Sequence, residues 1–253
     1  MTMAYKALMV EAGPGAGTEA RVRLAAKLAG ECGAQLIGLA ACAVRPPFMP
    51  PFGESVMVAD IIEDDMRRVR AMLEAAGDRF RAIAGAAAEW RAFLEYPGDA
   101  LAREARAAEL VIIGRDAEAR PAGVRQTAAP GDVLMRAGRP VLVVPPGVTG
   151  LAGRRVLVAW NESREARRAV IDALPLLARA ERVQVLEICE PGEGAALGSG
   201  TCRTSRSCSC GMAPGPRARR WCGADAAPRQ SCSARRSGWT PISSSPAAMA
   251  IRA

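Results

Sequence analysis

Two short apolar runs, ELVIIG at 109–114 and PVLVVP at 140–145, most constrain the fold of this chain. Each run has the length of a strand, and neither alternates between apolar and polar residues as a strand with one solvated face does. Strands of this kind are typical of parallel sheets that helices cover on both faces. We therefore expect an α/β fold with both runs inside its sheet.

Three further strands precede these runs in the sequence, at Tyr5–Val10, Ala34–Cys42 and Ala88–Tyr96. Amphipathic spacing of the apolar residues predicts the helices between the strands. These helices span about 18–32, about 59–85, the residues after Asp99 as N-cap, and about 131–137. Five strands joined by helices predict a doubly wound five-stranded parallel sheet, the Rossmann-like α/β class, over residues 1–148.

The strand and helix pattern begins again after the linker PGVTGLAG at 146–153. RRVLVAWNES repeats the first strand and turn, REARRAVIDALPLLARA repeats the first helix, and ERVQVLEICE repeats the second strand. The chain is thus predicted to hold an internal repeat. Its second copy, at 153–190, is partial and stops after strand, helix and strand.

The segment 191–253 differs from the rest of the chain in composition. Leu197, Ile242 and Ile251 are its only Leu, Ile, Val or Phe residues, which is too few to build a core. It holds nine arginines against two acidic residues, so +7 of the net charge of +8 lies there. We expect this tail to be disordered and the body of the protein to be nearly neutral.

The segments YKALMV, ELVIIG and GDVLMRAGRPVLVVP resemble the universal stress protein family in its tandem two-domain form. The resemblance covers about residues 4–190. It implies a five-stranded parallel α/β fold, a cytoplasmic location, and either a homodimer or intramolecular domain pairing through the last strand. It also implies a stress-response or regulatory role, and some members of the family bind ATP.

The ATP-binding members of that family share an Asp at the end of the first strand and the pattern G-x2-G-x9-G-[ST] after the fourth. Closely approaching backbone amides can bind phosphate, and side chains at these positions would obstruct it. Here Gly114 matches the first glycine, but Ala117, Thr127 and Ala128 stand at the next three positions, and Gly13 stands at the acidic one. We therefore expect no cofactor and no ATP binding.

The alternative reading is a nucleotide or small-molecule site at the carboxyl ends of the strands, where open α/β sheets bind their ligands. Asn161, in the second copy, would contact a ribose hydroxyl or cap the following helix. The candidate binding residues are Gly13, Ala41, Gly114, Arg115, Thr127 and Asn161.

Catalysis and metal binding find little support in the sequence. The chain has no histidine, the commonest general base at neutral pH, and no nucleophile with a partner base, so we expect no enzyme activity. The tail cysteines follow C-x5-C-x-C-x11-C-x9-C, which lacks the paired C-x2-C spacing of a zinc module. We expect no metal site.

Nucleic acid and membranes are two further classes of possible partner. The arginines of the tail offer an alternative function, non-specific binding of nucleic acid through phosphate contacts, whereas specific recognition is not expected. No apolar stretch approaches the roughly 20 residues of a membrane span, so we expect no membrane partner.

The tail also suggests a frameshift. The 32 arginines against two lysines indicate a GC-rich gene. Back-translation then allows the protein encoded in a shifted reading frame to be derived. In the shifted frame Trp239-Thr240 must encode Asp and Met249-Ala250 must encode Gly, and permissible codons give LDADLVVAGGYGHSR. That reading resembles the fourth strand and glycine loop of the family. We hypothesise a frameshift between about Pro191 and Gly200 that truncates the second domain.

Overall fold

The structure is a computed structural model that describes residues 4–15, 17–44, 55–115, 128–161, 163–187 and 248–252. The chain divides into two compact units, Thr2–Gly150 and Leu151–Ala253, called here the N-terminal and C-terminal units. Thr127 and most of the tail lie outside the described residues.

Five parallel strands form one sheet in the N-terminal unit, in the order β3-β2-β1-β4-β5. This architecture confirms the predicted doubly wound α/β fold. The connections reverse direction between β1 and β4, so the carboxyl ends of these two strands meet at the switch point of the sheet. The strands are β1 Ala7–Glu11, β2 Gln35–Ala41, β3 Glu89–Phe93, β4 Leu110–Gly114 and β5 Val141–Val144, and the helices are α1 Thr18–Cys32, α2 Ser55–Ala84, α3 Pro97–Glu104 and α4 Pro130–Arg136.

The central strand β4 is buried along its whole length, as the run ELVIIG predicts. The strand β5 differs from the prediction, because it lies at the edge of the sheet and its Val143 remains 39% exposed. An apolar run shows that a strand is hydrophobic, but it does not say whether a neighbouring strand or a second molecule covers it. The apolar run by itself therefore does not predict that β5 lies at the edge of the sheet.

The start of α3 also differs from the prediction. The helix begins at Pro97, with Tyr96 at the cap position, and Asp99 lies in the first turn instead of capping it. Proline suits the first turn because its fixed backbone angle is already helical and its missing N–H has no partner there. Asp99 forms an ion pair with Arg136 of α4 instead, which joins the two helices.

Two glycines allow α2 to pack closely against the sheet. A Cβ atom at Gly38 of β2 would lie 2.6 Å from the ring of Phe80, and one at Gly77 of α2 would lie 2.8 Å from Nε1 of Trp90. The rings of Phe80 and Trp90 pack against each other with their centroids 5.4 Å apart. The aromatic pair thus fills the space that the missing side chains leave.

The C-terminal unit has its own parallel sheet, in the order β7-β6-β8. The predicted single helix over 164–180 is divided in two, since Pro175 falls in the first turn of a new helix and supplies no N–H to the preceding one. The elements are β6 Arg155–Trp160, α5 Arg164–Asp172, α6 Leu174–Leu177, β7 Arg182–Glu187 and β8 Ala248–Arg252.

The strand β8 lies in the segment that the sequence predicts to be disordered. It pairs with β6 in parallel, at a register that places Met249 beside Val156. At these five residues the structure differs from the prediction, because backbone pairing along an open strand edge requires no core-forming composition. The order β7-β6-β8 parallels β2-β1-β4 of the N-terminal unit. The frameshift stays a prediction.

Within the described ranges, no helix combines the length and the apolar character that crossing a membrane requires.

The substitution Gly38→Ala is expected to destabilise the protein by about 1–3 kcal/mol, because the new methyl group overlaps the fully buried ring of Phe80. The matched control is Gly30→Ala in α1, where a Cβ meets nothing within 4 Å. Alanine in a helix is favoured over glycine by up to about 1 kcal/mol, so the control should be neutral or stabilising. Urea unfolding of the full chain measures both, and equal effects would contradict the packing argument.

Candidate functional site

A buried carboxylate lies at the carboxyl end of β1, at the switch point of the N-terminal sheet. It belongs to Glu11, the last residue of the strand, which is 2% exposed. An ionised carboxylate is rarely buried this completely unless charged and hydrogen-bonding partners surround it. The partners of Glu11 therefore define the chemistry of this edge.

Two backbone amides donate to the Glu11 carboxylate. The N–H of Ala128 donates to Oε1 at 2.9 Å, and the N–H of Gly114 donates to Oε2 at 3.4 Å. Gly114 ends β4, and Ala128 precedes α4 without belonging to it. These two residues flank the segment 115–127, so one carboxylate connects both ends of that segment.

The guanidinium of Arg21 balances the charge of Glu11. It is 3% exposed, its Nη2 lies 3.5 Å from Oε2 of Glu11, and its Nε donates to the Glu11 carbonyl oxygen at 2.7 Å. Breaking a buried pair by removing one partner leaves an uncompensated charge, which is strongly destabilising. The pair therefore holds the first turn of α1 against the end of β1.

Thr18 continues this network into the turn between β1 and α1. Its Oγ1 donates to the carbonyl oxygen of Gly13 at 2.9 Å and accepts from Nη2 of Arg21 at 3.4 Å. Gly13 is buried in that turn. We call Glu11, Arg21, Thr18 and the amides of Gly114 and Ala128 the Glu11 cluster.

The structure places the sequence-predicted site residues in different surroundings. Gly13 and Gly114 belong to, or directly contact, the Glu11 cluster. Ala41 ends β2 inside the apolar core, and the side chain of Arg115 is exposed while its backbone N–H donates to Val144. Thr127 lies outside the described residues. The predicted set therefore does not form a single described site.

Asn161 lies in the C-terminal unit, and it does not cap the helix that follows it. Ser163 is the N-cap of α5, where its Oγ accepts from the N–H of Ala166 at 3.0 Å. Asn161 accepts from that same serine through Oδ1, at 2.7 Å. The hydroxyl stands at the geometric cap position, so the amide of Asn161 supports the cap instead of forming it.

Sequence reasoning missed Glu11 and Arg21. The family pattern places the acid at position 13, which is Gly13 here, two residues beyond Glu11. Two signals were available: Glu11 ends an otherwise apolar strand, and Arg21 precedes Leu24, Ala25 and Leu28 by three, four and seven residues. This spacing places an arginine on the buried face of a helix, where it needs an anion.

A second group of charges lies between the edge strand β3 and α3. Glu104 accepts from Nη1 of Arg91 at 2.6 Å and from Nε of Arg103 at 2.9 Å. Burial alone would raise the pKa of the Glu104 carboxyl, but hydrogen bonds from Arg103 and Arg91 outweigh it and lower that pKa. Arg103 also pairs with Glu95 and lies 4.7 Å from the ring centre of Phe93. The charged side chains of this group are thus paired with side chains of opposite charge.

A cavity of about 240 Å³ lies elsewhere in this unit and is lined by Val44, Ile62, Met66 and Leu94. These side chains are apolar and offer no group that would orient a polar ligand. Among the described residues, no three His, Cys, Asp or Glu side chains are grouped so that they could hold a metal ion. The Glu11 cluster is therefore the best-defined polar arrangement at the carboxyl edge of the sheet.

Comparison with solved structures identifies the fold. A universal stress protein from Archaeoglobus fulgidus DSM 4304 aligns with 86% of this chain and 77% of its own, at 12% identity and a TM-score of 0.57. The chain has the universal stress protein fold. A universal stress protein in complex with cAMP aligns with 56% of this chain and 97% of its own, at 24% identity and a TM-score of 0.37.

A third structure, the universal stress protein from Archaeoglobus fulgidus in complex with dAMP, aligns with 56% of this chain and 98% of its own. Its identity is 20% and its TM-score is 0.35. No protein-family model and no curated protein matches the chain.

The substitution Arg21→Met should destabilise the protein by about 3–5 kcal/mol, because it leaves the Glu11 carboxylate buried without its cation. Arg23→Met is the control: Arg23 lies two residues further along α1, and it pairs with Glu19 at the surface, where both side chains are more than half exposed. Such an exposed pair contributes about 0.5 kcal/mol or less. Urea unfolding compares the two variants, and similar losses would contradict a special role for the buried pair.

Proposed function

We propose that this chain is a member of the universal stress protein family with a regulatory, non-catalytic role in the stress response, and that it works without bound nucleotide. The observation that supports this proposal is the engagement of the Gly114 and Ala128 amides by Glu11. These positions align with the first glycine and the Ser/Thr of the nucleotide pattern. A phosphate placed there would have to displace a side chain of the protein itself.

Charge adds a second obstacle to nucleotide binding. The Glu11 carboxylate is buried beside Arg21, so the positive charge of that arginine is already balanced. A phosphate approaching the same amides would meet a like charge in a region of low dielectric, where repulsion is strong. The engaged amides and the buried negative charge both oppose nucleotide binding at the carboxyl edge of the sheet.

The non-catalytic part of the proposal follows from the side chains available. General acid–base catalysis needs a group that can exchange protons with a substrate. The chain has no histidine, and Glu11 is enclosed by its arginine and two amides. Glu104 is likewise held between Arg91 and Arg103. We therefore propose that the protein acts through binding to other proteins, in the cytoplasm.

A self-association surface is proposed at the edge strand β5 and the adjoining helix α4. Val143 is 39% exposed, and Leu134 and Met135 of α4 are 60% and 83% exposed. An exposed apolar edge strand favours pairing with another strand. We propose that β5 pairs either with a second copy or with the other unit of the same chain, as the family resemblance implies.

Isothermal titration of the full chain with millimolar ATP tests the proposal. We expect no saturable binding, because the amides are engaged and the site carries its own negative charge. Adenosine, titrated in parallel, separates any recognition of the base from recognition of phosphate. Saturable ATP binding that the variant Gly114→Val abolishes would contradict the proposal and favour a nucleotide-binding protein.

A further inference from the structure

The Glu11 cluster has the composition of an anion-binding site. Two N–H groups, from Gly114 and Ala128, point at two different oxygens of one group. Arg21 adds a positive charge 3.5 Å from one of these oxygens. Converging backbone amides with an arginine form the arrangement that proteins use to hold carboxylates and phosphates.

The carboxylate that fills this site is supplied by the chain itself. We propose that Glu11 is an internal substitute for a bound oxyanion, so that the site keeps its affinity for small oxyanions but is permanently filled. This inference rests on the proposed function and explains it, because the group that excludes a nucleotide is the same group that completes the site.

The burial of Arg21 shows why the site requires an anion. Its guanidinium is 3% exposed, so a missing counter-ion cannot be replaced by bulk water without opening the structure. Both donors, Gly114 and Ala128, are also buried. An unfilled site would leave one charge and two N–H groups buried without these acceptors, each at a free-energy cost.

The C-terminal unit shows that the strand arrangement alone does not require the pair. Ala7 pairs with Gln35 in the N-terminal sheet, and Arg155 pairs with Arg182 at the corresponding position of the other sheet. Glu11 lies four residues after Ala7, and Ala159 lies four residues after Arg155. Ala159 therefore occupies the position in β6 that Glu11 occupies in β1. A three-stranded parallel sheet whose order corresponds to β2-β1-β4 thus forms with an uncharged residue there.

The size of the vacated space defines the test. Shortening Glu11 to alanine removes a CH₂ group, a carbon and two oxygens, and these four atoms correspond to acetate. The full-chain variant Glu11→Ala is unfolded with urea in sodium chloride, acetate, formate or phosphate at constant ionic strength. Acetamide, which has the shape of acetate but no charge, is the neutral control.

We expect acetate and formate to stabilise Glu11→Ala in a saturable way. The control is the surface variant Glu19→Ala, and the response of the wild type to these anions should be no larger than the response of that control. At an acetate concentration of 100 times its Kd, the unfolding equilibrium constant should fall by about 100-fold. The double variant Glu11→Ala/Arg21→Leu should lose this response, because the site then has no positive charge. Stabilisation by phosphate as well would extend the class from carboxylates to phosphates.

A folded Glu11→Ala that responds equally to chloride, acetate and acetamide would overturn the inference. Where Glu11→Ala does not fold in chloride, recovery of far-UV circular dichroism with acetate or phosphate is measured instead. Recovery supports an oxyanion site, and no recovery contradicts it. Failure of the proposed function is seen separately, since ATP binding by the wild type leaves the acetate response of the variant unchanged.

Discussion

The ion pair between Glu11 and Arg21 is the interaction on which the carboxyl edge of the N-terminal unit depends. It joins the end of β1 to the first turn of α1, and its carboxylate connects β4 to Ala128, which lies two residues before α4. Removing two charges from water costs several kcal/mol for each ion, and good geometry with additional hydrogen bonds is needed to offset that cost. The amides and the Thr18 hydroxyl supply those bonds here.

Under the proposed function, this interaction contributes both to stability and to the exclusion of a ligand. In many α/β proteins the switch point of the sheet is the place where a ligand binds. In this chain the same position is completed by a side chain, so the contacts that a ligand would make contribute to folding instead. A substitution that opened the site for a ligand would therefore also destabilise the protein.

Much of the fold could be predicted from the sequence because it depends on hydrophobic pattern. The helix α1 was predicted at about 18–32 and spans Thr18–Cys32, and β4 was predicted from its continuous apolar run. The apolar run at 140–145 did not itself indicate that β5 lies at the edge of the sheet, and the pairing of β8 with β6 was not predicted, because apolar residues do not reveal which strand lies beside them. Pro175 indicates the division between α5 and α6, but the sequence prediction did not take this proline into account.

The site was harder to predict than the fold for a geometric reason. Alternate residues of a strand face the same side of a sheet. The alternation pattern therefore cannot decide whether position 11 or position 13 holds the functional acid. The family pattern directed attention to Gly13, while the acid two residues earlier was the one in contact with Gly114. Arg21 was overlooked because a charged residue on an amphipathic helix is usually solvated.

Amide hydrogen exchange at Ala128 tests the central claim most directly. Ala128 belongs to no helix or strand, so strong protection of its N–H requires a specific acceptor, which the structure identifies as Oε1 of Glu11. The account predicts that this amide exchanges as slowly as those of β4 in the wild type and much faster in Glu11→Ala. Exchange at the rate of an unstructured peptide in the wild type would contradict it.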